Sequence, residues 1–122
     1  RALTVYSRMI RRTYPDSPII LGGIEASLRR FAHYDYWSDS LKPSVLLDAK
    51  ADLISYGMGE NQTLEIAKRL YSGEAIATIT DVRGTCYIAP NDENISGIRL
   101  HSYEKECQNK KPWRKQKSRC SR

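Results

Sequence analysis

The distribution of apolar and polar residues along the first hundred positions predicts helices that alternate with short buried strands. Residues 2–14 place apolar side chains at helical spacing, and Pro15 ends the predicted helix. The run Pro18–Leu21 predicts a buried strand directly after it. Leu53–Tyr56 predicts a second strand, and Gln62–Ser72 predicts a second long helix. This alternation indicates an α/β fold, Rossmann-like, with a partial parallel sheet and flanking helices.

Both predicted helices carry an apolar stripe, a pattern typical of a face that packs against a core. The stripe of the first helix consists of Leu3, Tyr6, Met9, Ile10 and Thr13. The stripe of the second consists of Leu64, Ala67, Leu70 and Tyr71. Glu65 and Arg69 are spaced to form an ion pair across one turn, and Gly73 suits the position just after the helix.

Shorter segments between these elements carry weaker signals. Ala26–Phe31 is long enough for one or two helical turns. Ser44–Leu47 is apolar and fits either an edge strand or a helical turn. Thr78–Thr80 and Thr85–Ala89 predict a hairpin of two short strands around Asp81–Gly84.

Glycines follow both predicted strands, at the end where open α/β sheets bind ligands. Gly22 and Gly23 follow the first strand, and Gly57 and Gly59 follow the second. Glycine permits positive φ and lets a ligand or another backbone approach closely. Neither cluster has the GxGxxG or P-loop spacing, so NAD or ATP binding is poorly supported. Glu60 at the next helix start would repel phosphate, and a tight strand-to-helix turn is the simpler explanation of Gly57 and Gly59.

Polar, charged and aromatic residues crowd the segment that follows the first glycine pair. Its candidate ligand-binding residues are Glu25, Arg29, Arg30, His33 and Asp35. The two arginines are suited either to clamp a carboxylate or phosphate or to pair with Glu25 and Asp35. The histidine is suited either to acid–base or metal chemistry or to a structural hydrogen bond. The segment is therefore either a ligand-binding surface or a loop folded over the sheet edge, and no catalytic residue is assigned.

Composition excludes several classes of protein. The 122 residues fit one domain, and no apolar run is long enough to span a membrane. The first residues do not have the pattern of a signal peptide. Cys86, Cys107 and Cys120 form no CxxC or Cys/His pattern, so no zinc site is predicted. Reduced thiols in the cytoplasm are therefore expected.

The basic charge is confined to the end of the chain. Residues 1–100 contain 12 basic and 12 acidic side chains, whereas residues 101–122 contain 8 basic and 2 acidic ones, which accounts for the net charge of +6. Such a tail, with Trp113, has the composition to bind nucleic acid electrostatically, but a solvated end is the favoured interpretation. We therefore predict an α/β domain at residues 1–100 and a disordered tail at 101–122.

Two stretches of the sequence resemble the N-terminal domain of YgiQ-type radical SAM proteins. The first spans residues 22–39 and reads GGIEASLRR followed by AHYDYWSD. The second spans residues 47–60 and contains LDAKAD and YGMGE. The likeness extends over about residues 1–90, more faintly over 100–111, and stops at Pro112. This end suggests a truncated or frameshifted chain, and an opening residue other than methionine suggests a fragment.

The resemblance implies a bacterial cytoplasmic protein in which an N-terminal, cobalamin-binding-domain-like part precedes a radical SAM core. Such a core binds a [4Fe-4S] cluster through a CxxxCxxC motif and cleaves S-adenosylmethionine reductively. The resemblance also brings cobalamin into consideration as a cofactor. The cysteines here do not form the cluster motif, so no cluster ligand is assigned to this chain.

From the resemblance we expect a fragment of the accessory domain that is inactive alone and whose partner is the radical SAM core domain. Two alternatives stay open. One is an interdomain docking module without a ligand, in which the anchors are Tyr34, Tyr36 and Trp37. The other is a small nucleic-acid-binding protein that uses the basic tail.

Overall fold

A computed structural model describes residues 2–91, 93 and 95–108. Its helices are α1 (Ala2–Thr13), α2 (Gly23–Leu28), α3 (Val45–Asp48), α4 (Glu60–Tyr71) and α5 (Tyr103–Gln108). Its strands are β1 (Ile20–Leu21), β2 (His33–Asp35), β3 (Ser40–Lys42), β4 (Leu53–Ser55) and β5 (Thr85–Tyr87). A 3-10 turn spans Ile76–Thr78. The predicted mixture of helices and strands is confirmed.

Three strands form the central sheet in the order β1-β4-β5. β1 and β4 are parallel, with Ile20 opposite Leu53, whereas β5 runs antiparallel to β4. The predicted strands Pro18–Leu21 and Leu53–Tyr56 are confirmed, although the first forms only two residues of the ladder. The parallel β1–β4 pair is the part of the predicted parallel sheet that the structure contains.

The two faces of the sheet pack against different helices because successive strand residues point to opposite sides. Ile54 of β4 lies in a cluster with buried residues from β1, α2 and α3, among them Leu21, Ala26 and Leu46. Its neighbour Leu53 lies in a second cluster, formed with Ile66 of α4, Ile79 and Val82. All three residues of β4 are buried. β4 is therefore the centre of the domain.

Helix α1 contacts the domain mainly through polar side chains. Ser7 is buried, Arg8 Nη2 donates to Asp48 Oδ1 at 2.6 Å, and Arg11 Nη2 donates to Asp52 Oδ2 at 2.7 Å. These aspartates and nearby backbone carbonyls form a polar floor under the helix, to which arginine is complementary.

The apolar stripe of α1 therefore does not face the core. Of its members only Leu3 packs against the first cluster. The other large ones are exposed, namely Tyr6, Met9 and Ile10. The expectation that this stripe packs inward is wrong. The side of α1 that faces the domain carries Arg8 and Arg11, because the surface beneath it is formed by Asp48, Asp52 and backbone carbonyls.

Helix α4 buries a residue outside its predicted stripe. Ile66 is fully buried, and Leu70 is the one stripe member that packs beside it. The remaining stripe residues are exposed, namely Leu64, Ala67 and Tyr71. The helix ends as predicted, because Gly73 has a φ of +93° and follows the last helical residues.

An ion-pair cluster around Arg69 joins the end of α4 to the following loop. Arg69 Nη2 donates to Glu74 Oε1 and Nη1 donates to Asp81 Oδ1, both at 2.7 Å. The predicted pair with Glu65 is present at 3.8 Å. The hydrogen bonds from the guanidinium lower the pKa of Glu74 and of Asp81 and raise the pKa of Arg69.

The shorter segments differ most from the predictions. The helical interpretations of Ala26–Phe31 and Ser44–Leu47 are confirmed in outline by α2 and α3. The predicted strand Thr85–Ala89 is confirmed in part by β5. Its predicted hairpin with Thr78–Thr80 is wrong, because β5 pairs with β4 while Ile79 packs with Ile66 of α4. An antiparallel hairpin of β2 with β3 was not predicted.

The start of the predicted tail is ordered as helix α5. The Tyr103 hydroxyl donates to Leu41 O at 3.4 Å, which attaches the helix to β3. The prediction of disorder is therefore wrong for residues 103–108, and the rest of the basic segment, including Trp113, lies outside the described residues. No helix in the described ranges is long and apolar enough to cross a membrane.

Candidate functional site

The glycine turns after β1 and β4 lie side by side at the carboxyl end of the parallel pair. The Gly57 N–H donates to Ser27 Oγ at 3.2 Å, and the Ser27 hydroxyl donates to Gly23 O at 2.8 Å. A Cβ added to Gly22 would lie 3.8 Å from Ser55 O at the end of β4. The two turns therefore form one surface, with Ser27 as the link between them.

Three of the four candidate glycines have a local reason to be glycine. Gly23 and Gly57 have φ values of +82° and +72°, in the left-handed region. Gly59 has an ordinary φ, but a Cβ there would lie 2.7 Å from Ser55 Oγ. That hydroxyl is buried and has no hydrogen-bond partner in the part of the chain that the structure describes. The strand-to-helix turn predicted for Gly57 and Gly59 is thus a close backbone approach onto β4.

A shallow, open depression of about 750 Å3 lies beside the two turns. Its lining combines the glycine backbone with the side chains of Met58, Glu60, Thr63, Leu64 and Ala67. Met58 and Leu64 are 83% and 56% exposed, so large apolar groups stand in solvent around it. The Glu60 carboxylate at the start of α4 disfavours an anion there, which makes an apolar or cationic group a better match than phosphate.

The candidate acidic and basic residues of α2 are engaged within the chain. Arg29 Nη1 donates to Glu25 Oε1 at 3.2 Å, so the pairing interpretation is confirmed for these two. The Arg30 guanidinium lies 5.1 Å from the centroid of the Phe31 ring and 4.9 Å from that of Tyr56. Arg30 also donates to a backbone carbonyl of α2. Stacking on two aromatic rings holds this charge beside the carboxyl end of β4.

His33 and Asp35 lie in the β2–β3 hairpin, on a different element from the glycine turns. His33 Nδ1 lies 3.1 Å from Phe31 O, which matches the structural-hydrogen-bond interpretation when that nitrogen carries the proton. Asp35 is buried, and its Oδ2 accepts from the Ser38 hydroxyl at 2.6 Å. These two candidates therefore belong to a different element from the glycine turns.

The tip of this hairpin presents two aromatic side chains to solvent. Tyr36 and Trp37 are 74% and 89% exposed, with their rings edge to face at 6.3 Å between centroids. Beneath them the Tyr34 hydroxyl donates to Asp39, and Ser38 Oγ lies 2.7 Å from Ser40 Oγ. These short-range hydrogen bonds give the tip a defined shape.

Sequence reasoning missed Ser27 and Ser55, the two hydroxyls beside the glycine turns. A signal existed for Ser27, because a serine four residues after a helix-start carbonyl commonly bonds back to it, as Ser27 does to Gly23. No sequence signal indicated that Ser55 Oγ would be buried under the start of α4.

The described residues do not fit an iron–sulfur cluster or a zinc ion. They contain no group of three histidine, cysteine or carboxylate side chains placed to hold a metal. Cys86 is on β5 opposite Ile54, and burial raises the pKa of its thiol, which disfavours the thiolate that a metal requires. Cys107 is on α5.

The geometry defines a class: a small α/β domain with a joined pair of glycine turns at the carboxyl end of its parallel strands. The model of the Radical SAM N-terminal family matches residues 1–121. This match confirms the resemblance seen in the sequence, and the chain belongs to that family. The expectation that the likeness stops at Pro112 is wrong, because the match continues to residue 121.

The curated relatives are proteins named UPF0313. One from Methanocella arvoryzae is 61% identical over 87 residues, covering 71% of this chain and 14% of the relative. One from Shewanella oneidensis is 58% identical over 88 residues, covering 72% and 11%. One from Clostridium botulinum is 47% identical over 114 residues, covering 93% and 18%. No solved structure matches this chain.

This chain thus spans only 11–18% of the length of these relatives.

Proposed function

We propose that this chain is an N-terminal accessory domain of a cytoplasmic radical SAM enzyme, and that its glycine-turn surface faces the radical SAM core. The observation that carries the proposal is the hydrogen-bonded junction of the two turns, Gly57 to Ser27 to Gly23, at the ligand side of the parallel strands. Family membership supplies the enzyme class, and the length of the relatives supplies room for a separate core.

In this proposal the [4Fe-4S] cluster and S-adenosylmethionine are bound by the core, where they supply radical chemistry. The residues described here contribute shape and polarity instead. Met58 and Leu64 offer apolar contact area, and Glu60 excludes anions from the start of α4. Cobalamin is an expectation from the resemblance alone, and no residue of this surface is assigned to it.

The first test compares the isolated chain with the full-length Methanocella relative after anaerobic cluster reconstitution. We expect the chain alone to bind no [4Fe-4S] cluster and to leave S-adenosylmethionine uncleaved in the presence of a strong reductant, whereas the full-length protein does both. Reductive cleavage by the chain alone would refute its role as an accessory domain.

The second test addresses the surface itself. Leu64→Gln at the equivalent position of the full-length relative should lower the rate of S-adenosylmethionine cleavage while melting temperature and iron content stay unchanged. Tyr71→Gln is the matched control, because Tyr71 is on the same helix, is 97% exposed and lies outside the depression. Equal rates for both variants and the unmodified protein would contradict the assignment of the surface.

A second candidate function is interdomain docking through the hairpin, and the 89% exposure of Trp37 favours it. An exposed tryptophan on a hydrogen-bonded turn has the properties of an interface anchor. Under this alternative Trp37→Ala would weaken association between separately expressed accessory and core domains, with cluster content and the melting of each domain unchanged. Unchanged association would exclude the hairpin as the docking element.

A further inference from the structure

Within the described residues, no strand pairs with the outer side of β1. β1 is the outer strand of the order β1-β4-β5. The Leu53 N–H of β4 donates to Ile19 O at 3.3 Å, which shows the side of β1 that faces β4. Because backbone groups of successive residues alternate between the two sides of a strand, the N–H and C=O of Ile20 point to the free side. Ile20 is also the exposed residue of the strand, at 36%.

One flank of α1 is apolar and exposed among the described residues. Arg8 and Thr4 hydrogen-bond Asp48 and so fix the flank of α1 that faces α3. Tyr6 and Ile10 are roughly 160–200° around the helix axis from Arg8 and lie on the opposite flank. They are 65% and 44% exposed. An outer helix normally turns polar residues to solvent, so this flank has the composition of a buried surface.

The face that α1 occupies restricts what can cover this region. The connection from β1 to β4 passes through α2 and α3, which pack on the first cluster, and Leu3 of α1 packs on the same cluster. Consider a strand placed on the free side of β1 and joined to β1 through α1. Its connection would lie on the same face of the sheet as α2 and α3, and it would lead across the sheet in the same direction as the step from β1 to β4. It would therefore have the same hand as the β1–β4 connection, as parallel connections in one sheet normally do.

From these three observations we propose that the Ile20 edge and the Tyr6–Ile10 flank accept a parallel β-strand, contributed by the stretch of the longer polypeptide that leads into α1. The strand would satisfy the free N–H and C=O of Ile20, and its connection would cover the flank. The size of the relatives, of which this chain spans 11–18%, provides the additional chain. This surface is separate from the glycine-turn surface. The added strand can therefore be tested independently of the proposed function.

Residue-resolved amide exchange tests the proposal on two proteins, this chain alone and the full-length Methanocella relative. The amide equivalent to Ile20 should exchange at least about tenfold more slowly in the full-length protein than in this chain. The Leu21 amide, which faces β4, is the internal control and should be protected in both. Equal exchange at Ile20 in the two proteins would overturn the proposal. So would protection in this chain that rises with its concentration, because a second copy would then occupy the edge.

A pair of substitutions in the full-length relative tests the flank. Gln at the position equivalent to Ile10 should lower the melting temperature by several degrees, because it would be buried beneath the added connection. Gln at the position equivalent to Val5 is the control, since Val5 is 53% exposed but lies roughly 140° further around α1. Equal shifts for the two variants, or no shift for either, would contradict the assignment of the flank.

Discussion

At the scale of single residues, the close approach of Gly59 to Ser55 is the sharpest constraint in the domain. An added Cβ would lie 2.7 Å from Ser55 Oγ, and the hydroxyl is enclosed, so something must shift. Gly59→Ala should therefore destabilise the chain by roughly 1–3 kcal/mol, measured by urea unfolding. Gly97→Ala is the control, because its added Cβ would meet no atom within 4 Å.

The same pair gives a second expectation by double substitution. Ser55→Ala removes the Oγ that a Cβ at position 59 would meet, and it deletes a buried hydroxyl without a partner in the described residues. Ser55→Ala should therefore be close to neutral alone and should recover most of the loss caused by Gly59→Ala. Additive losses in the double variant would show that the contact with Ser55 is not the cause.

The single residues that the sequence predicts correctly are those set by local backbone rules. Gly23, Gly57 and Gly73 were placed by turn and helix-end signals, and all three have positive φ. Ser55 and Asp48 could not be placed, because their roles depend on elements that are distant in sequence, namely the start of α4 and the arginine side of α1. A single sequence therefore predicts contacts between residues that are near in the chain, but not contacts between residues that are far apart in it.

At the scale of elements, the Arg69 cluster fastens the end of α4 to the loop that leads toward β5. Arg69 lowers the pKa of Glu74 and Asp81 in the folded chain from their ordinary values of 4.5 and 3.8. A lowered folded-state pKa means that this contribution to stability is fully present above those ordinary values and is lost as pH falls through the folded-state pKa. The urea concentration at the midpoint of unfolding should therefore decrease as the pH is lowered.

Substitution separates this effect from general acid unfolding. Arg69→Met should flatten the acid dependence of the midpoint, because Glu74 and Asp81 lose the partner that lowers their pKa. Lys68→Met removes the same charge one residue away and should leave the slope unchanged. Parallel pH profiles for Arg69→Met and the unmodified chain would show that this ion-pair cluster does not cause the loss of stability in acid.

Elements were predictable where periodicity and end signals agreed. The bounds of α1 and α4 were found to within two residues, but the faces they bury were not. In α1 the inward face is polar because Asp48 and Asp52 lie beneath it, and these residues come about forty positions later. The β2–β3 hairpin was missed because its turn carries Tyr36 and Trp37 in place of the glycine and asparagine typical of tight hairpins.

At the scale of the whole molecule, the exposed apolar groups indicate that this chain is incomplete as a stable unit. Large apolar side chains lie in solvent on three surfaces, with Ile10 on α1, Leu64 by the glycine turns and Trp37 on the hairpin. In the part of the chain that the structure describes, the sheet has three short strands. The isolated chain should therefore melt below about 45 °C, under the usual range for independent domains, by circular dichroism. A cooperative transition well above that range would show that the chain is self-sufficient.

In the proposed arrangement the joined glycine turns face the radical SAM core of the intact protein. A structure of the full-length Methanocella relative, determined with S-adenosylmethionine present, tests this claim most directly. We expect the residues equivalent to Gly57, Met58 and Leu64 to be buried against the core or its bound ligands. Finding these residues in solvent, with the core packed against another face of the domain, would contradict it.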